Sequence, residues 1–225
     1  MSSTYNIAID GPAGAGKSTI AKLVAAKLGF IYVDTGAMYR AMALYFLENG
    51  IQPEDEEKVS AACGQIDISL RYQDGVQQVI LNGRDVSGKI RTEAVGNAAS
   101  VVSAYRAVRQ ALLALQQNLA MTSNVIMDGR DIGTCVLPNA QTKIYLTASS
   151  HVRAVRRYKE LTEKGQMCNL EEIEQDIIDR DYRDMHREIA PLTQAADAVL
   201  LDSSEMTIDQ VVDGIIGAAR ERGLD

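Results

Sequence analysis

The sequence predicts an α/β fold: a five-stranded parallel sheet flanked by helices, with a small antiparallel β insertion. Three observations predict it. Short apolar runs alternate with segments of helical spacing toward both ends of the chain, the pattern that folds into parallel sheets. A glycine-rich turn joins the first run directly to the first helical segment. A central stretch changes to period-two alternation interrupted by Asp-Gly and Asn-Gly, dipeptides that close tight hairpins.

Taken in order, residues 5–9 form a buried strand ending at Asp10-Gly11, and Ile20, Leu23, Val24 and Leu28 mark one helical face that Gly29 ends. Residues 30–33 form the second strand, ending at Asp34. A second helical pattern (Met38, Met42, Tyr45, Phe46) runs to Asn49-Gly50. Ile66, Ile68, Leu70 and Tyr72 then alternate with polar residues, and Asp74-Gly75 and Asn82-Gly83 separate three extended pieces, the last near Val86. This antiparallel meander reads as an insert over residues 62–92. Helical spacing resumes at Val108, Leu112, Leu115 and Leu119, followed by strands at 125–127 and 143–147. Two charged helices near 150–164 and 170–188 precede the last strand at 198–201. The closing helix carries Ile208, Val211, Val212, Ile215 and Ala219 on one face.

A chain of 225 residues fits a single domain with such an insert. Its composition, 46% hydrophobic and 24% charged, excludes disordered and collagen-like classes. No apolar stretch approaches the roughly 18 residues of a membrane span, and residues 1–6 lack the pattern of a secretory signal. Cys63, Cys135 and Cys168 are odd in number and widely spaced, which suits a reducing compartment. A cytoplasmic monomer without membrane partners is expected. The net charge of −7 argues against a nucleic-acid partner. Arginines cluster late, at Arg130, Arg153, Arg156, Arg157, Arg180, Arg183 and Arg187, which leaves room for a local anion site.

Gly11-Pro12-Ala13-Gly14-Ala15-Gly16-Lys17-Ser18, followed by Thr19, matches the phosphate-loop pattern in full, between a strand and a helix as the pattern requires. Gly11, Gly14 and Gly16 let the backbone wrap around phosphate with its N–H groups inward, and the helix start adds its positive dipole. Lys17 is expected to reach the β- and γ-phosphates and the Ser18 hydroxyl to ligate Mg²⁺. A nucleoside triphosphate is therefore the predicted ligand.

Ligands of open α/β sheets bind at the carboxyl ends of strands, and two such ends are distinctive here: Asp34 to Arg40, and Asp128 to Thr134. Asp128 either orients magnesium-bound water or caps a turn before Gly129. Arg40 and Arg130 are either surface arginines or forks for an acceptor phosphate. Arg180, Asp184 and Arg187 stand at i, i+4 and i+7, one face of a helix, which is either a solvated salt-bridged surface or part of the site.

Together these stretches resemble the bacterial cytidylate kinase family: GPAGAGKST (11–19), DTGAMYR (34–40), the run from VSGKIRT to NAAS (86–100), DGRDIGT (128–134) and RDYRDMHREIAPL (180–192). The resemblance spans nearly the whole chain in order. It implies a P-loop kinase fold with a nucleoside-monophosphate region at about 35–100 and a short helical lid at 150–168. It also implies ATP-dependent phosphorylation of CMP and dCMP with Mg²⁺. The same resemblance places Thr35, Ser100, Arg109 and Asp131 at the cytosine, and Arg180 and Asp184 at the sugar. Arg40, Arg130 and Arg187 fall near the acceptor phosphate, with Tyr39 in the same pocket. Arg153, Arg156 and Arg157 become candidates for clamping the transferring phosphates. Asp131 would accept from the cytosine N4 amino group, where uracil would present a second acceptor.

Two other readings share some of these features. A small-metabolite kinase of shikimate type shares the phosphate loop, but the antiparallel insert and DGRDIGT count against it. A nucleotide-driven switch would carry a guanine-reading N-K-x-D, which this sequence lacks.

Overall fold

A computed structural model describes residues 4–73 and 75–224. Asp74 of the expected Asp74-Gly75 turn and the first three residues, on which the leader expectation partly rests, lie outside the described residues. The elements follow in order as β1 (Asn6–Asp10), α1 (Lys17–Leu28), β2 (Ile31–Asp34), α2 (Thr35–Glu48), α3 (Glu56–Ala62), β3 (Ile68–Gln73), β4 (Val76–Leu81) and β5 (Arg84–Asp85). They continue with α4 (Glu93–Val102), α5 (Arg106–Thr122), β6 (Val125–Gly129), β7 (Thr142–Thr147), α6 (Ser150–Glu163), α7 (Leu170–His186), β8 (Val199–Asp202) and α8 (Ile208–Glu221). A π-helical turn over Ile132–Val136 follows β6.

The five-stranded parallel sheet has the order β2-β6-β1-β7-β8. β1 lies between two strands that come much later in the chain, so the order reverses around it, and the loop leaving β1 opens at that reversal. The three-stranded antiparallel sheet β3-β4-β5 pairs Ile68 with Leu81 and Gln73 with Val76.

By contacts the chain forms two compact units, one built on residues 31–125 and the other on 5–30 and 126–224. In the second, Ile7, Ile9, Ile126, Met127, Ile144 and Leu146 are buried, near-continuous apolar runs as expected of strands covered on both faces. In the first, Met38, Met42 and Phe46 of α2 are buried, as are Val102 of α4 and Val108 and Leu112 of α5.

Several expectations need correction. Leu23, placed on the core face of α1, is 41% exposed, and Ile208 at the start of α8 is 54% exposed. The α1 face runs through the expected Ile20 and Val24 but takes Ala21 and Ala25 in place of Leu23, and in α8 the expected Val211, Val212, Ile215 and Ala219 are buried. Helices α3 and α4 have no counterpart in the sequence reading. Each begins at a side-chain cap: Asp55 accepts from Lys58 N, and Thr92 accepts from Val95 N.

Gly11 has φ +151°, and a Cβ there would overlap the carbonyl oxygen of Leu146 on β7. Gly11→Ala should therefore destabilise the protein by about 2–4 kcal/mol. Urea unfolding at constant pH measures this; a loss below about 0.5 kcal/mol, the range of neutral surface changes, would show that β7 gives way.

Candidate active site

Within the unit of residues 5–30 and 126–224, Gly14 (φ +74°) and Gly16 (φ +84°) both adopt the left-handed conformation that turns the phosphate loop into α1. Lys17 is 6% exposed, and its Nζ donates to the Gly11 and Pro12 carbonyl oxygens, each at 2.7 Å. Burial and the nearby Arg130 charge hold its ammonium well below the usual lysine range, while Asp128, Asp10 and Asp184 oppose them. A triphosphate beside Lys17 would supply the counter-charge this position favours.

Ser18 Oγ donates to Asp128 Oδ2 at 2.9 Å, which sets a hydroxyl oxygen beside a carboxylate. These are hard oxygen donors of the kind Mg²⁺ takes. Among the described residues no group of three or more His, Cys, Asp or Glu is arranged to hold a metal. An ion at Ser18 would therefore complete its shell from phosphate and water, as Mg²⁺ does at phosphoryl-transfer sites.

The loop after β6 carries Arg130 and Asp131. Arg130 Nε donates to Asp184 Oδ2 at 2.7 Å. Burial works against the Arg130 charge, but Asp184, with Asp128 and Asp181 nearby, holds the guanidinium above its ordinary range. Burial likewise works against ionised Asp184, and the Arg130 charge and hydrogen bond hold its carboxyl below the ordinary range. Arg187 Nη2 donates to Asp131 Oδ1 at 3.3 Å, and its Nε donates to Ala190 O at 2.7 Å. The solvated-surface reading of 179–187 is thus replaced, because Asp181 and Asp184 are buried and paired. Arg187 does not continue the helix face as expected. It follows the last residue of α7 in extended backbone (φ −65°, ψ 143°), and Leu192 N returns to Asp184 O at 2.8 Å. Pro191 ends the stretch, where a helix cannot continue.

Asp10, read from sequence only as a strand end, accepts from Ile132 N through Oδ1 and from Gly133 N through Oδ2, both at 2.7 Å. It thereby fixes the π-turn that begins directly after Asp131. Burial pushes its carboxyl up to about 6; the two N–H bonds offset part of that rise, and Asp131 adds to it.

Arg153, expected on the transferring phosphates, is buried and donates to Ala148 O, Ala13 O and Asp181. Arg156 donates to Ser203 O at 2.7 Å. Arg157 is about half exposed and pairs with Glu160 at 2.8 Å.

The unit of residues 31–125 holds the other expected residues. Asp34 caps α2 by accepting from Ala37 N at 2.9 Å, which places Thr35, Tyr39 and Arg40 in its first two turns. Gln77 of β4 grips the Asp34 backbone, accepting from its N–H at 2.9 Å and donating to its carbonyl at 3.3 Å. Tyr72 OH donates to Tyr32 O at 3.2 Å. The antiparallel sheet thus braces the strand end that presents Thr35. The Arg109 guanidinium lies 5.8 Å from the centroid of the Tyr39 ring, within cation–π range. Arg109 also donates to Ser103 O at 3.3 Å, and Ser103 Oγ donates to Ser100 O at 3.0 Å. Tyr39, Ser100 and Arg109 therefore gather around one spot, with Ser103 as the link that sequence reading missed.

Comparison with known proteins gives a consistent picture. The family model described as cytidylate kinase matches residues 7–221. A cytidylate kinase of Caldicellulosiruptor bescii is 51% identical over 211 residues, covering 94% of this chain and 93% of that protein. One from Ligilactobacillus salivarius is 49% identical over 222 residues, 99% of each. Among solved structures, an uncharacterized protein from Eubacterium ventriosum aligns with a TM-score of 0.53 over 96% of this chain and 99% of that one, at 10% identity. That likeness concerns the fold alone.

Asp10 makes stability depend on pH. Its folded value near 6 lies above the ordinary 3.8, so the folded state keeps the proton to higher pH and stability falls as pH rises from about 4 to 6. The two-unit gap corresponds to roughly 3 kcal/mol. In Asp10→Asn this loss should disappear, so urea-unfolding free energies of variant and parent should diverge with rising pH. Parallel curves would contradict the assignment.

Proposed function

Because the chain belongs to the cytidylate kinase family and is a kinase, we propose that it transfers the γ-phosphoryl group of ATP to CMP and dCMP, forming the diphosphates and ADP. The observation that carries this reading is the clustering, in one unit, of Lys17, the Ser18–Asp128 pair and the carboxylate-held arginines Arg130 and Arg187. Phosphoryl transfer asks a protein for positioning and charge neutralisation rather than covalent chemistry, so no covalent intermediate is proposed.

In this reading, the loop of residues 11–19 holds the triphosphate of ATP through its backbone N–H groups from Gly14 onward, and Lys17 neutralises charge at its β- and γ-phosphates. Bound Mg²⁺, held by Ser18 with Asp128 orienting its water, supplies further charge neutralisation on the phosphate oxygens. Arg40, Arg130 and Arg187 fork onto the acceptor phosphate, and the carboxylates paired with Arg130 and Arg187 keep those two forks aimed. Asp131 accepts from the cytosine amino group, while Thr35, Ser100 and Arg109 serve the base's other polar edge and Tyr39 lines the pocket. Arg180 and Asp184 meet the sugar. Residues 62–92 form an insert within the monophosphate-binding region at about 35–100. Residues 150–168 act as a lid that excludes water, with Arg157 at the transferring phosphates. No helix among the described residues is long and apolar enough to cross a membrane, and the reading takes the enzyme as a cytoplasmic monomer.

A coupled ADP-release assay with ATP, Mg²⁺ and each of CMP, dCMP, UMP, AMP, GMP and dTMP tests this. Fast turnover confined to the cytosine nucleotides is expected; no stimulation by any monophosphate would remove the acceptor assignment. Asp131→Ala should raise KM for CMP by about tenfold to a hundredfold, the effect of losing a hydrogen bond to a charged group, with KM for ATP nearly unchanged. Equal rises in both would count against base reading. Lys17→Met should lower kcat by about a thousandfold with the fold intact, and near-normal turnover would remove Lys17 from the mechanism.

A further inference from the structure

Two side chains from α6 and α7 grip the phosphate loop at Ala13. Asp181 Oδ1, on α7, accepts from Ala13 N–H at 3.2 Å, and Arg153 Nη1, on α6, donates to Ala13 O at 2.9 Å. The two gripping side chains are themselves joined at 2.6 Å, and they are only 5% (Arg153) and 8% (Asp181) exposed. Arg153 Nε donates to Ala148 O at 2.8 Å, which fixes the guanidinium plane against the residue just past β7. The stem of the same arginine lies beside the next residue, since a Cβ added on Gly14 would come 3.5 Å from Arg153 Cβ.

We propose that Arg153 and Asp181 are positioning residues that hold the phosphate loop in its triphosphate-binding shape through both polar backbone groups of Ala13. The inference rests on the reading that this loop holds ATP. Ala13 gives its N–H to Asp181, so the amides that face phosphate begin at Gly14. The left-handed turns at Gly14 and Gly16 then have a fixed starting point. Arg153 acts on the triphosphate through the loop rather than by touching it. The ion pair also keeps a buried carboxylate beside a polyanion-binding loop neutralised, since an unpaired Asp181 there would oppose the phosphates directly. One consequence is that α6 and α7 cannot shift relative to β7 without pulling on Ala13.

The test is steady-state kinetics of the full chain, varying ATP at saturating CMP and CMP at saturating ATP, together with melting temperatures. For Asp181→Asn, KM for ATP should rise by about tenfold, the low end for losing a hydrogen bond to a charged partner, with KM for CMP within about twofold. If that variant does not fold, Arg153→Lys carries the same test, because a lysine's single Nζ replaces the separate Nε and Nη1 donors that Arg153 aims at Ala148 O and Ala13 O. A lower melting temperature with KM for ATP unchanged would overturn the inference and leave the pair a structural contact. An equal rise in both KM values would also overturn it. Failure of the parent protein to turn over ATP with CMP would instead strike the reading of the loop, so the two failures are distinguishable.

Discussion

Charge removed from water must find a partner inside the protein, and in the unit of residues 5–30 and 126–224 that requirement shapes the phosphate loop, the loop after β6 and the turn after α7. Asp10, Lys17, Asp128, Asp131, Arg153, Asp181 and Asp184 are all 4–8% exposed. An uncompensated ion at such depth costs several kcal/mol, so each loop bends until these groups meet one another or a backbone dipole. Asp10 takes two amides of the π-turn, Asp181 takes Arg153 and Ala13, Asp184 takes Arg130, and Asp131 takes Arg187. The segments fixed in this way are those that carry the phosphate loop, the 128–131 loop and the turn after α7.

This arrangement suits phosphoryl transfer. Arginine side chains lose much rotamer freedom when they must align on a phosphate, and a carboxylate that already holds the fork removes part of that cost. Arg130 and Arg187 are held by Asp184 and Asp131 in the protein itself. In the unit of residues 31–125 the same logic uses neutral groups, with Gln77 clasping the Asp34 backbone and Asp34 capping α2.

How much of this could be read from sequence depends on where each signal lies. The phosphate loop was fully legible, since its glycines answer a local backbone demand seen in the positive φ of Gly11, Gly14 and Gly16. The five strands and the antiparallel hairpins were legible for the same reason, their apolar period and turn dipeptides being local. Helices α3 and α4 were not, because α3 spans seven residues, too few for a periodic pattern, and α4 is fixed mainly by the Thr92 cap and by packing. Asp10 and Asp181 carry no local mark at all. Their partners lie 122 and 168 residues away, at Ile132 and Ala13, and only the folded chain brings them together. The 179–187 stretch shows the converse: its charges look like a solvated helix, and only tertiary burial reveals Asp181 and Asp184 as anchors.

Buried carboxylates set the phosphate and 128–136 loops before any nucleotide arrives. Amide hydrogen exchange of the nucleotide-free protein, resolved at Ala13, Ile132 and Gly133, tests it most directly. These three amides, bound to Asp181 and Asp10, should exchange as slowly as the strand interiors, and adding ATP and CMP should change them little. Fast exchange at these positions that slows only when nucleotide is added would contradict it, because the ligand would then be organising the loops.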